Sequence, residues 1–93
     1  MLVAVCQIEL YLPGSSSLKE KRLVLQSLKT RIRQKFNVSV AEVDGADKWQ
    51  TAVLGLSMVA NERKLLDKAF SKVLSLIESD GRSHVIRHTF EIY

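Results

Sequence analysis

Apolar residues recur along this chain with two different periods, and the order in which the periods alternate restricts the fold more than any other feature. Residues 2–12 alternate between an apolar and a mixed parity, which predicts a strand with one buried face. Residues 18–36 repeat apolar side chains every three or four positions, which predicts an amphipathic helix. Ser17 and Glu20 have the spacing of a capping box, so we expect the helix to begin near Leu18.

The second half of the chain repeats this alternation. Residues 37–43 and 49–60 read as two strands joined by a hairpin loop. Asn61 is a candidate N-cap for a second amphipathic helix, which Asp80 and Gly81 end. Residues 83–93 predict a fourth strand of mixed polarity, and either of its faces could be the buried one.

The order βαββαβ is typical of an α+β fold, the ferredoxin-like sandwich. In this fold two helices cover one face of a four-stranded antiparallel sheet. The chain has 93 residues, enough for one core, and it contains no internal repeat or linker. We therefore expect residues 1–93 to form a single ferredoxin-like domain.

Positive charge is concentrated in the first helix. Residues 18–36 carry a net charge of +6, although the whole chain carries +4. Four cations fall together beside the apolar stripe and form what we call the basic ridge: Lys19, Arg22, Lys29 and Arg33. The ridge and Lys21 are our candidate nucleic-acid-binding residues, which would contact phosphates. The alternative is a solvated helix face without a partner.

A loop of three serines opens onto the first helix. Ser15, Ser16 and Ser17 bring hydroxyls close to the free amides of the helix N-terminus, where an anion could bind. The loop lacks the glycines of a dinucleotide fingerprint and the GK[ST] of a P-loop. Capping of the helix would explain the same serines.

The sheet face that points away from the helices is predicted to be unusually apolar. It includes Val3, Val5 and Val53, which could contact a partner. We expect a homodimer, formed either through this face or along an edge strand. The aromatic residues on which RNA-recognition domains of this fold stack bases are missing from the first and third strands. Trp49 could anchor a partner or cover one end of the core.

No set of residues suggests catalysis. His84 and His88 are about 13 Å apart on a strand, too far to share a metal ion. Cys6 lies on the apolar parity of the first strand, where a thiol is a small apolar group. We therefore expect no enzyme activity, cofactor, metal or small-molecule substrate. The single cysteine and the absence of a signal peptide or long apolar segment favour a cytoplasmic protein that does not enter a membrane.

Three segments carry a family resemblance: SLKEKRLVLQSLKTRIRQKFNVSVAEVD, WQTAVLG and the following VAN. Together they closely resemble the YlxP-like family, a bacterial domain-of-unknown-function family. The resemblance implies a small ferredoxin-like protein. Genes of the family often lie beside those for translation initiation and ribosome maturation factors, which implies a role near the ribosome or its RNA. The family provides no catalytic residue to carry over.

Two functions follow from these observations. The first is a non-enzymatic accessory factor that binds RNA or another polyanion through the basic ridge and is linked to translation or ribosome maturation. The alternative is a protein-interaction or scaffolding module that binds a protein partner through the sheet face and Trp49. Association that resists salt would favour the second function.

Overall fold

The computed structural model describes all 93 residues of the chain. Six elements follow one another in the predicted order. They are β1 (Leu2–Tyr11), α1 (Leu18–Lys35), β2 (Ser39–Asp44), β3 (Thr51–Ala60), α2 (Arg63–Asp80) and β4 (His84–Ile92).

The four strands form one sheet in the order β2-β3-β1-β4. Every neighbouring pair is antiparallel, and β1 at the centre pairs with both β3 and β4. Cys6 marks the middle of the sheet, because it lies opposite Leu56 on one side and Phe90 on the other. The predicted ferredoxin-like fold is confirmed.

The ends of the helices follow local capping chemistry. The Ser17 hydroxyl accepts a hydrogen bond from the Glu20 amide at 3.1 Å, as the capping-box spacing predicts. The N-cap of α2 is Glu62, which makes no side-chain capping bond, so the prediction of Asn61 at this position is wrong by one residue. Gly81 ends α2 with φ of 80°, a conformation that glycine adopts without strain.

The core lies between the helices and the sheet. Eighteen buried apolar side chains form one cluster, and the strands contribute the parity that the sequence predicts, with Ile8 and Leu54 fully buried. Residues of the opposite parity in β1 and β3 therefore point to the open face, our name for the sheet surface away from the helices. Neither helix has a run of residues long and apolar enough to cross a membrane.

A bulge explains why the polarity of β4 is mixed. The register with β1 shifts so that Arg87 lies opposite Glu9 but Val85 lies opposite Leu10, which leaves Ile86 as the extra residue. Val85 and Phe90 consequently both pack against the core, although strict alternation would put them on opposite faces. A prediction based on strict alternation could not choose the buried face of this strand.

A close contact on the open face explains the glycine in the middle of β3. A Cβ atom at Gly55 would lie 2.7 Å from a methyl carbon of Val43, closer than such atoms can approach. Val43 itself is the extra residue of a bulge in β2, between Glu42 and Asp44. The side chain of Val43 therefore covers the backbone of β3 at this point.

Candidate nucleic-acid interface on the first helix

The basic ridge lies along one flank of α1. Lys19, Arg22 and Arg33 are exposed, and Lys29 is half-buried. None of the four ridge residues forms an ion pair with a carboxylate. The ridge therefore presents positive charge that the chain itself does not neutralise.

The C-terminal end of the ridge is fixed to the sheet. The Arg33 guanidinium donates a hydrogen bond from Nη2 to the carbonyl oxygen of Val40, at 2.7 Å. Val40 belongs to β2, which is an edge strand. Arg33 thus donates to one carbonyl oxygen of the edge strand. Its other guanidinium hydrogens can donate to a further acceptor.

Arg31, a cation on the other flank of α1, is already paired. Arg31 Nη1 lies 2.7 Å from Oδ1 of Asp80, at the end of α2. Hydrogen bonds from Arg82 are the main cause that lowers the pKa of the Asp80 carboxyl, and the same contact raises the pKa of Arg82. Arg82 also donates to the Ser27 hydroxyl at 2.9 Å, so this cluster links both helices.

Lys21 does not belong to the exposed surface, and the prediction that it binds nucleic acid is wrong. Its side chain is fully buried beneath the loop between β2 and β3. The ammonium donates to the carbonyl oxygens of Gly45 at 2.7 Å, Lys48 at 2.6 Å and Thr51 at 2.9 Å. Glu42 Oε2 lies 2.8 Å from the same nitrogen. No phosphate can reach this ammonium.

The serine loop is filled by a side chain of the same helix. The Glu20 carboxylate accepts hydrogen bonds from the Ser16 amide at 2.7 Å and from the Ser16 hydroxyl at 2.8 Å. These bonds, the backbone one first, lower the pKa of Glu20. Ser17 caps the helix, and the buried Ser15 hydroxyl donates to the Ser17 carbonyl. The predicted anion site at Ser15, Ser16 and Ser17 is therefore wrong, because Glu20 occupies the donors of Ser16 and the other two hydroxyls bond within the loop and the helix cap.

Trp49 is exposed at the end of the loop between β2 and β3. The side chain is 57% exposed, so the alternative in which it covers the core is wrong. The next residue holds this loop against the loop that follows β1: the Gln50 carbonyl accepts from the Leu12 amide at 2.8 Å, and its side-chain amide donates to the Ser15 carbonyl at 3.2 Å. Whether Trp49 binds a partner stays a prediction.

The open face presents valine side chains, with exposed polar residues between them, among them Gln7, Ser57 and Thr89. Val5 is 43% exposed, and Val3 and Val53 are half-buried. The charges on this face are partly paired, since Arg87 Nε lies 2.8 Å from Glu9 Oε2 across β1 and β4. Whether this face binds a second copy of the chain stays a prediction.

The structure places no group of three or more histidine, cysteine, aspartate or glutamate side chains where they could hold a metal ion. Cys6 is buried, and burial raises its pKa to about 11, so the thiol is protonated at neutral pH. A cleft of ≈ 440 Å³ beside the serine loop is lined by Leu23, Glu20 and Arg82. The two charged groups in the cleft are engaged with neighbouring residues, as described above.

The burial of Lys21 among three carbonyl oxygens and Glu42 was not predicted from the sequence. Lys21, Leu25, Leu28 and Ile32 are the four buried residues of α1. Their spacing of four, three and four residues is that of one helix stripe. The position of Lys21 in this stripe was a signal in the sequence, whereas its acceptors lie on a loop whose path only the fold determines.

Comparisons with known proteins agree with the fold and leave the activity open. The model of the family described as "Protein of unknown function (DUF503)" matches residues 3–90. The uncharacterized protein YlxP of Bacillus subtilis (strain 168) is 36% identical over 78 residues, which cover 84% of this chain and 85% of that protein.

Three solved structures share the fold at low sequence identity. A crystal structure provisionally named chlorite dismutase TA0507 matches with a TM-score of 0.60 and 12% identity over the whole chain, which spans only 44% of that protein. The designed protein Foldit4 matches with a TM-score of 0.56 and 10% identity over the whole chain, which covers 97% of that protein. A designed protein with a ferredoxin fold, LFR1 1, matches with a TM-score of 0.55 and 14% identity over the whole chain, which covers 84% of that protein. At these identities the similarity concerns the fold alone.

Proposed function

Because this chain belongs to the DUF503 family, whose function is unknown, we propose its function from its own surface: it is a non-enzymatic accessory factor that binds RNA through the basic ridge on α1. The genomic neighbourhood that the family resemblance implies favours a target in translation or ribosome maturation.

The observation that carries this proposal is the absence of acidic partners along the ridge. Two of the seven cations of residues 18–36 are used inside the molecule, since Lys21 is buried beside Glu42 and Arg31 is paired with Asp80. Glu20, the one carboxylate of this segment, is bound by Ser16. The ridge residues are left to a partner that brings its own negative charge.

Phosphate groups of a nucleic-acid backbone supply such charge at regular spacing. Each phosphate that a cation neutralises releases bound counterions, so the affinity falls as salt rises. Four ridge cations predict a slope of log K against log salt of roughly −3 to −4. Contacts between the ridge and phosphates carry no information about the bases, so binding through the ridge would depend little on the RNA sequence.

The test is fluorescence anisotropy of labelled ribosomal RNA fragments and a matched random RNA at several salt concentrations. We expect micromolar or tighter binding that weakens steeply with salt. The double variant Arg22→Glu/Lys29→Glu should abolish it and leave the contact between Arg33 and Val40 intact.

A matched control separates the ridge from the net charge. Lys68 and Lys72 are exposed on α2 and form no ion pair, so Lys68→Glu/Lys72→Glu changes the charge equally. The control should keep most of the affinity. Equal losses in both variants, or no binding at low salt, would contradict the proposal.

The second candidate is a protein-interaction module. The specific observation in its favour is the exposure of large apolar side chains on the sheet side, where Val59 and Val43 are each more than half exposed. In this case the chain should associate with a protein partner in a salt-insensitive way, and Trp49→Ala should remove that association. Pull-downs at low and high salt with wild type and Trp49→Ala distinguish this function from RNA binding.

A further inference from the structure

The loop that carries Trp49 is bonded to the N-terminal half of α1. Lys21 ties this loop to the first turns of α1, because its ammonium lies 2.6 Å from the carbonyl oxygen of Lys48. Lys19 and Arg22 belong to the same turns of the helix, on its exposed side. Lys48 precedes the tryptophan and is itself exposed. An exposed indole, an exposed lysine and two ridge cations are thus gathered at one end of the molecule.

The loop that carries Trp49 is held from several directions. Lys21 binds the carbonyl oxygens of Gly45 and Thr51 as well as that of Lys48, so the loop is fixed on both sides of the tryptophan. The bonds that Gln50 forms with Leu12 and Ser15 fix the following residue. A side chain presented by a fixed backbone loses less conformational freedom on binding than one on a loose loop.

From this placement we propose that Trp49 stacks on an unpaired base of single-stranded RNA whose phosphates follow the basic ridge. An indole offers a flat face to any base, and neighbouring cations neutralise the adjoining phosphates, which is the combination that single-strand-binding proteins use. A duplex keeps its bases stacked on one another and offers only its phosphates. The inference rests on the proposed function and adds a preference for single strands.

The experiment uses the fact that Trp49 is the only tryptophan of the chain. The full-length protein is titrated with an unstructured single-stranded RNA and with a duplex of matched phosphate number, and both tryptophan emission and anisotropy of the labelled RNA are recorded. The single strand should quench the emission on binding, whereas the duplex should not. Trp49→Ala should weaken binding of the single strand roughly ten-fold and leave that of the duplex unchanged. Trp49→Phe should restore part of the loss.

Tyr93→Ala is the matched control. Tyr93 is 70% exposed, and its backbone pairs with Val3 at the opposite end of β1. This variant should bind both RNAs like the wild type.

Two failures are distinguishable. RNA binding that depends on Arg22 and Lys29, without quenching and with full affinity in Trp49→Ala, overturns the stacking inference alone and leaves Trp49 to a protein partner. The absence of any RNA binding by the wild type overturns both the stacking inference and the proposed function.

Discussion

At the scale of single residues, the ammonium group of Lys21 has the most demanding surroundings in the molecule. Its three hydrogens match the three carbonyl oxygens that it contacts. Glu42 Oε2 is buried 2.8 Å away and has no hydrogen bond of its own, so it contributes charge rather than a bond. Removing the ammonium would leave a carboxylate oxygen and three carbonyls without their cation.

We therefore predict that Lys21→Met lowers the free energy of unfolding by about 3–5 kcal/mol, the loss typical of breaking a buried ion pair. Methionine keeps most of the aliphatic volume, so the change isolates the charge. Urea denaturation measures the effect. Lys19→Met, at an exposed position of the same helix, is the control and should change stability by less than about 0.5 kcal/mol. Similar urea midpoints of unfolding for Lys21→Met and Lys19→Met would contradict the stabilising role of the Lys21 ammonium.

Lys21 also shows where prediction from sequence failed and why. A lysine on a helix is expected to reach solvent, and that expectation outweighed the position of Lys21 in the buried stripe. The same kind of reasoning placed Lys19 and Arg22 correctly on the surface. The difference lies in the carbonyls of a loop 24–30 residues away, which sequence periodicity does not reveal.

At the scale of elements, the two helices are joined by charge as well as by apolar packing. The Asp80 side chain is only 5% exposed, at the C-terminal end of α2, and it accepts bonds from Arg31 of α1 and Arg82 of the following loop. A carboxylate at the C-terminus of a helix is unfavourable for the helix dipole. The two guanidinium groups compensate for that position.

This cluster predicts a pH dependence. Because the folded state lowers the pKa of Asp80 below its ordinary value, ionised Asp80 stabilises the fold above the unfolded pKa, and this stability is lost as pH falls through the folded pKa. Asp80→Asn should cost about 1–2 kcal/mol near pH 7 and should weaken the decline of stability in acid. Thermal unfolding from pH 7 to pH 2 measures both effects.

Asp67→Asn is the control for the pH series. Asp67 is half exposed, and its pair with Arg63 spans 3.7 Å along the surface of α2. Loss of such a pair costs roughly 0.5 kcal/mol or less. If the stability of both variants declines between pH 7 and pH 2 as that of the wild type does, Asp80 is not the group that sets the pH dependence.

The elements also differ in how far sequence could predict them. The periods of α1, β1 and β3 identified those elements and their buried faces, because tertiary packing followed the local pattern. The bulges at Val43 and Ile86 interrupt the alternation of the two edge strands, so the buried face of β4 could be read only from its register with β1.

At the scale of the whole molecule, the two sides of the sheet have different chemistry. The helical side carries the basic ridge, whereas the open face presents the exposed valines Val5 and Val59 among uncharged polar residues, Glu91 and the Glu9–Arg87 ion pair. Two copies that met through their open faces would bury apolar surface without bringing the two ridges together. This arrangement supports the proposed homodimer, with the basic ridges on its outer sides.

The corresponding prediction is a change of oligomeric state. Val5→Glu/Val59→Glu places charges on the open face and should convert a dimer, twice the 10.5 kDa of one chain, into a monomer. Sedimentation velocity measures the mass. Leu23→Glu is the control, because Leu23 is 61% exposed on α1, and it should leave the dimer intact. A wild-type monomer at high concentration would contradict the dimer.

The bonds of Lys21 also have a consequence for the order in which the chain folds. A β-hairpin usually forms from residues close in sequence, and the β2–β3 hairpin could pair its strands in that way. Three carbonyl oxygens of its loop, however, accept hydrogen bonds from Lys21, a residue of α1. These three bonds can form only after the helix has docked. The surroundings of Trp49 should therefore reach their native state late, in the same kinetic phase as the packing of α1 on the sheet.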